Sequence, residues 1–273
     1  NIVLNVTGAG DVGLSGVNAL TIGAATGNVG ATLLTATTGN ITVTSADRVN
    51  NGTPGSALDV SFGTASLGST NTAGSLAITT DGGAGAAGEI QITSGEALTV
   101  GVLSTAATAQ TISIVTDTNA NLTWSGASTL DDAVTLGGAG TGVLTIGANQ
   151  TVGSLTGTGD SVVVSNTVTT ANSTTSGTPS GNISLTADLS TIALNNNLTT
   201  GNATIADTVA AESAVTGNIS LTAATGISGA GVLTTGTASF TGADAGTGAD
   251  TATSGNIVLN VTGAGDVGLS GVN

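Results

Sequence analysis

Apolar and polar residues alternate with a period of two along much of this chain. In Asn182-Ile183-Ser184-Leu185-Thr186-Ala187 and again in Asn218-Ile219-Ser220-Leu221-Thr222-Ala223, every second residue is aliphatic and its neighbours are Asn, Ser or Thr. That alternation sends successive side chains to opposite faces of an extended backbone, so each segment predicts a half-buried β-strand. Gly and Asn clusters, such as Thr225-Gly226, Ser228-Gly229 and Gly242-Ala243-Asp244, punctuate the strands and supply turns. No stripe at i, i+3, i+4 runs through the sequence, and its abundant Thr, Val, Ile and Gly are poor helix formers. The expected fold class is all-β.

Repeats organise these strands. Residues 1–18 read NIVLNVTGAGDVGLSGVN, and residues 256–273 read the same, at an offset of 256 − 1 = 255 residues. This predicts that 1–255 is one long tandem repeat and that 256–273 opens the next, in an internal fragment of a larger array. A shorter unit lies inside it: SGNIVL from Ser254, TGNISL from Thr216, SGNISL from Ser180, TGNITV from Thr38 and a looser AGEIQI from Ala87. The motif glycines are 217 − 181 = 36 and 255 − 217 = 38 residues apart.

Short strands can build a sandwich or a solenoid. A sandwich normally anchors its core with aromatic residues and carries no self-similarity of this kind. Here 39% of residues are apolar but only 1% aromatic, which suits a thin interior of Ile, Val, Leu and Ala. The expectation is a parallel β-helix, or β-solenoid, with about 18–20 residues per coil or 36–38 per double coil. A unit of 36–38 residues most simply divides into two coils of 18 or 19, or else forms one large coil; for two, the cleanest unit divides between GNISLTAATGISGAGVLTTG and TASFTGADAGTGADTATS.

Composition then removes most chemistry. The chain has no His, Cys, Met or Tyr, and Arg48 is its one basic residue among sixteen acidic ones, for a formal net charge of −15. Imidazole, thiol and amine catalysis are therefore excluded, leaving carboxylates and hydroxyls. A chain this acidic cannot neutralise phosphates, so neither nucleic acid nor an anionic membrane surface is an expected partner. No run approaches the ~20 apolar residues of a spanning helix, and no signal peptide is read, so no membrane insertion of this segment is expected.

The strings GNISLTA and GNITVTSA, with GVLTIGANQTVGSLTGTG at residues 142–159, resemble the large repetitive adhesins of bacteria. These are the filamentous haemagglutinin-like proteins and the passengers of autotransporters. The resemblance covers the texture of nearly the whole chain. It implies a right-handed parallel β-helix at the bacterial cell surface or outside the cell, acting in attachment, aggregation or biofilm matrix. The chain lacks that family's secretion domain, its membrane barrel and an Arg-Gly-Asp motif.

Several residues invite a specific role. Asn40, Asn182, Asn218 and Asn256 recur in Gly-Asn-Ile, and stacked Asn side chains can bond one another and the backbone in a ladder. The competing reading of Asn40, Asn182 and Asn218 is glycan attachment at Asn-x-Ser/Thr. Asp11, Asp81, Asp244, Asp250 and Asp266 sit near Gly-rich turns and are the calcium candidates, against a bland reading as solvated turn residues. No calcium nonapeptide or EF-hand loop is present, and no cofactor is expected.

Asp131-Asp132 is the one adjacent carboxylate pair, a pattern that carbohydrate-cleaving enzymes use, but a sugar cleft needs more basic and aromatic side chains than this chain has. Trp124, Phe62 and Phe240 read as core or cap residues. Thr-rich segments such as Thr35-Ala36-Thr37-Thr38 and Thr42-Val43-Thr44 raise ice binding, which requires Thr-x-Thr at one place in every coil, whereas the repeat spacing drifts.

Together these point to a non-enzymatic structural repeat of a giant surface or extracellular filament or stalk, stiff and protease-resistant. Its partners are further copies of the repeat in the same chain, with lateral self-association into bundles. The alternative is an adhesin module that binds glycan or neighbouring cells; the minor alternatives are a carbohydrate-active β-helix enzyme and an ice-binding solenoid.

Overall fold

The computed structural model describes residues 97–105, 111–116, 119–208, 211–242 and 248–270. Nearer the amino end it describes the strands Val3–Leu4, Val12–Val17, Leu20–Ile22, Thr32–Ala36, Ile41–Ser45, Leu58–Phe62, Leu76–Thr80 and Ile90–Ser94. Every described element is a β-strand, with no helix among the described residues. The main strands form an eleven-stranded, a ten-stranded and a five-stranded sheet, with two further two-stranded pairs. All their pairings run parallel.

The chain visits the sheets in turn. Ala133–Leu136 lies in the ten-stranded sheet, Val143–Ile146 in the eleven-stranded sheet and Gln150–Val152 in the five-stranded sheet, after which Ser154–Gly159 returns to the ten-stranded one. From Ile183 onward the circuit lengthens: after Leu198–Thr199 the chain adds Ala203–Ala206 and Ser213–Val215 before Ile219–Ala223 resumes the ten-stranded sheet.

Register places like residues side by side. Ile183, Ser184, Leu185, Thr186 and Ala187 pair with Ile219, Ser220, Leu221, Thr222 and Ala223. Alternation then divides each strand, with Ile183, Leu185, Ile219 and Leu221 fully buried and the intervening Ser and Thr half-buried. One core cluster holds residues of all three large sheets, including Leu122, Leu144, Val162 and Ile192 of the eleven-stranded sheet and Val152, Val168 and Leu198 of the five-stranded sheet. Burying each such aliphatic side chain contributes about 1.5–3 kcal/mol. A satellite cluster of Ala203, Ile205 and Ala214 fills the added strands.

The 36- to 38-residue unit is a single step within the ten-stranded sheet and not a pair of 18- or 19-residue coils. Ile183 pairs directly with Ile219, and Ile219 with Ile257. Shorter steps do occur elsewhere, as between Leu144 and Val162, where 162 − 144 = 18. Step length grows because residues are inserted between strands, while the pairing within each sheet is preserved.

The two copies of the 18-residue identity enter the two main sheets in opposite order. Val3–Leu4 belongs to the eleven-stranded sheet and Val12–Val17 to the ten-stranded sheet. Ile257–Val261 belongs to the ten-stranded sheet and Val267–Leu269 to the eleven-stranded sheet.

Candidate functional site: the corner ladders

The Gly-Asn-Ile corners are stacked. The backbone N–H of Asn218 donates to Oδ1 of Asn182 at 2.7 Å, and that of Asn256 donates to Oδ1 of Asn218 at 2.7 Å. The main-chain carbonyl of Asn218 in turn accepts from Ile183 N at 2.9 Å, and that of Asn256 accepts from Ile219 N at 2.9 Å. Each carboxamide therefore supplies the acceptor for a corner amide of the next unit. Asn40 lies outside the described residues. Asn182 and Asn218 are exposed, and the outward Ser two residues on is simply the next outward position of the strand, which is how strand alternation produces Asn-x-Ser at a corner.

A second ladder runs on the inner side of the same corners and is built from hydroxyls. Ser180 Oγ accepts from Gly217 N at 2.8 Å and donates to the Gly201 carbonyl at 2.6 Å. Thr200 Oγ1 accepts from Gly236 N at 3.0 Å and donates to the Gly217 carbonyl at 3.1 Å. Thr170 Oγ1 accepts from Gly201 N at 2.9 Å and donates to the Gly181 carbonyl at 2.7 Å, and Thr216 Oγ1 accepts from Gly255 N at 2.7 Å. Ser180, Thr200 and Thr216 are all buried. A hydroxyl both donates and accepts, so Thr170, Ser180 and Thr200 each join an N–H of one corner to a carbonyl of another away from water.

The motif glycines are fixed by sterics. A Cβ on Gly217 would overlap the Gly181 carbonyl oxygen, one on Gly255 would overlap that of Gly217, and one on Gly201 would overlap that of Ala171. Backbone is stacked on backbone at these corners, leaving no room for a side chain.

Sequence inspection passed over half of this arrangement. Thr200-Gly201-Asn202 is a second corner of the same kind, and Asn202 Oδ1 accepts from Thr237 N at 2.8 Å while its own N–H donates to Asn172 Oδ1 at 2.7 Å. One 36-residue step therefore carries two Ser/Thr-Gly-Asn corners, at Ser180 and Thr200, before Thr216 begins the next. The recurrence of TGN at residues 200–202 was the available signal. Glu212 was also overlooked: it is buried, and its carboxylate accepts from Thr208 N at 3.1 Å and Thr208 Oγ1 at 3.2 Å.

The acidic candidates are dispersed. Asp11, Asp81 and Asp244 lie outside the described residues. Asp250 Oδ1 accepts from Glu212 N at 2.8 Å, and Asp266 is exposed, with its main-chain carbonyl accepting from Ile227 N at 3.1 Å. Among the described residues, no three His, Cys, Asp or Glu side chains are grouped as a metal site would require. Asp131 is exposed and Asp132 buried, so the adjacent pair does not present two carboxylates to one accessible cleft.

Trp124 is fully buried in the main core, paired in register with Val100 and Ile146. Its Nε1 is the one buried side-chain nitrogen or oxygen among the described residues with no hydrogen-bond partner. Phe240 is half-buried against the satellite cluster, and the Phe62 side chain lies outside the described set. Thr129, Thr151, Thr169, Thr199 and Thr234 form one unbroken column in the five-stranded sheet. Register restores alignment there although the sequence spacing drifts. The Thr35–Thr38 and Thr42–Thr44 side chains and Arg48 are not among those described.

No helix among the described residues is long and apolar enough to cross a membrane. No family model, no curated protein and no solved structure matches this chain.

Proposed function

We propose that this chain is a length of right-handed parallel β-solenoid that serves as a stiff, non-catalytic stalk or filament of a bacterial surface or extracellular protein. The observation that carries the reading is the in-register stacking of like on like: Ile on Ile, Leu on Leu and Asn on Asn at steps of 36 and 38 residues. The handedness and the bacterial surface setting rest on the resemblance of the repeat strings to filamentous haemagglutinin-like proteins.

In this reading each turn covers the strand edges of the one before it, so the object grows along one axis without exposing open edges along its flanks. Stiffness comes from three parallel sets of bonds: backbone pairing, the Asn carboxamide ladder and the buried hydroxyl ladder. Cohesion comes from the aliphatic columns. The formal charge of −15 holds neighbouring rods apart, and cations that screen it permit bundling. With Arg48 as the only tryptic position in this length, the folded rod also presents little to trypsin.

Electron microscopy of the native object tests the proposal. A continuous thread of uniform width, with an axial spacing of about 4.8 Å between turns, is the expected result. Isolated compact particles would overturn it.

A further inference from the structure

The outer side of the ten-stranded sheet includes a wide stretch without charge. Its five consecutive strands Thr111–Thr116, Ala133–Leu136, Ser154–Gly159, Ile183–Ala187 and Ile219–Ala223 are four to six residues long. The strands of the five-stranded sheet have only two or three residues. Every outward side chain described in those five longer strands is Ser, Thr, Ala or Val. Register aligns them: Thr156, Ser184 and Ser220 form one column, and Thr158, Thr186 and Thr222 the next.

The carboxylates stand at the margins of this stretch. Asp131 and Asp132 precede Ala133, Asp160 follows Gly159, and Asp188 follows Ala187. In a chain with a formal charge of −15, a face without carboxylates is the place where two copies meet least repulsion. Short side chains on one regular ladder can interdigitate with those on another, as paired sheets do at about 10 Å. Outward Thr and Val are also stiff at χ1, so little side-chain freedom is lost on contact.

We infer that this face packs against the same face of a second copy, side by side, so that rods bundle through the ten-stranded sheet. Five strands at about 4.8 Å, each about five residues long at about 3.3 Å per residue, offer about 400 Å² per partner. A standard interface takes about 800 Å² from each partner, so one such stretch pairs weakly. Pairing strengthens as stretches are joined in one rod, because every contact after the first is made at high effective concentration. This inference rests on the stalk reading above and adds the face by which stalks meet.

The test uses the 273-residue chain at an ionic strength that screens its charge, with sedimentation equilibrium as the first readout. Ser184→Asp places a carboxylate in the middle of the face and is expected to weaken association by about tenfold or more. Thr199→Asp, on the five-stranded sheet, is expected to change it by no more than about twofold. The second readout is intermolecular spin–spin broadening from a single nitroxide, which the Cys-free chain allows at Ser184→Cys or Thr199→Cys. Faces packed about 10 Å apart broaden the spectrum of the label at 184 and leave that at 199 sharp. The labelled pair decides the matter if Ser184→Asp fails to fold, as judged by circular dichroism. Association indifferent to Ser184→Asp, broadening at 199 alone, or a chain monomeric at every ionic strength would overturn the pairing. None of these touches the stalk reading, which the width and axial spacing of the native thread test separately.

Discussion

The backbone N–H of Asn256 is held by the side-chain oxygen of Asn218, whose own backbone N–H is held by Asn182, both at 2.7 Å. The link between units thus depends on one residue type at one place. Asn218→Ala removes the acceptor of Asn256 N–H. The corner is exposed, so water takes over part of the bond, and the expected loss is about 0.5–1.5 kcal/mol of stability. Hydrogen exchange should place the effect locally, with the Asn256 amide exchanging faster and amides of the Leu122–Trp124 strand unchanged.

Gly217 faces a neighbouring backbone and Gly268 faces nothing within 4 Å. Gly217→Ala forces apart stacked carbonyls that have no flexible side chain to yield, with an expected cost of about 3 kcal/mol. Gly268→Ala should change stability by no more than about 0.5 kcal/mol. Denaturant midpoints of the two variants, measured side by side, check this; equal effects would remove the steric account of the motif glycine.

Leu221 and Ser220 are neighbours in one strand but point to opposite faces. Leu221→Ala opens a cavity at a fully buried position between the buried Leu185 and the half-buried Leu259, at an expected cost of about 2–5 kcal/mol. Ser220→Ala sits on the outer face and should be neutral to within about 0.5 kcal/mol. Thermal unfolding followed by circular dichroism distinguishes them.

Trp124 is the single tryptophan and is fully buried without a hydrogen-bond partner for its indole nitrogen. Its fluorescence should be blue-shifted relative to free tryptophan and protected from iodide, moving red only on unfolding. Emission already at the red position in the native protein would contradict its place in the core.

Strand alternation and the Gly-Asn-Ile recurrence were readable directly, because a period of two and a repeated corner motif are local properties. Whether the 36-residue unit makes two short steps or one long one is not legible in the sequence, for a physical reason. Steps of 18 residues do occur, as from Leu144 to Val162, and the added strands Ala203–Ala206 and Ser213–Val215 that lengthen the step from Ile183 to Ile219 carry the same strand texture as the rest of the chain. The hydroxyl ladder was hidden because it joins Ser180 to Gly201 and Thr200 to Gly217, contacts that exist only once the turns are stacked. The Thr129–Thr234 column was hidden likewise, since insertions between strands change sequence spacing without changing register.

The central claim is that one 36-residue unit makes one step, with Ser184 beside Ser220. The chain contains no Cys, so paired nitroxide labels can be placed cleanly at Ser184→Cys/Ser220→Cys and, as the half-step comparison, at Ser184→Cys/Thr204→Cys. Adjacent parallel strands lie about 4.8 Å apart, close enough for strong spin–spin broadening of the continuous-wave spectrum. Strong broadening for 184 with 220, and none for 184 with 204, is the predicted result; the reverse pattern would contradict the account.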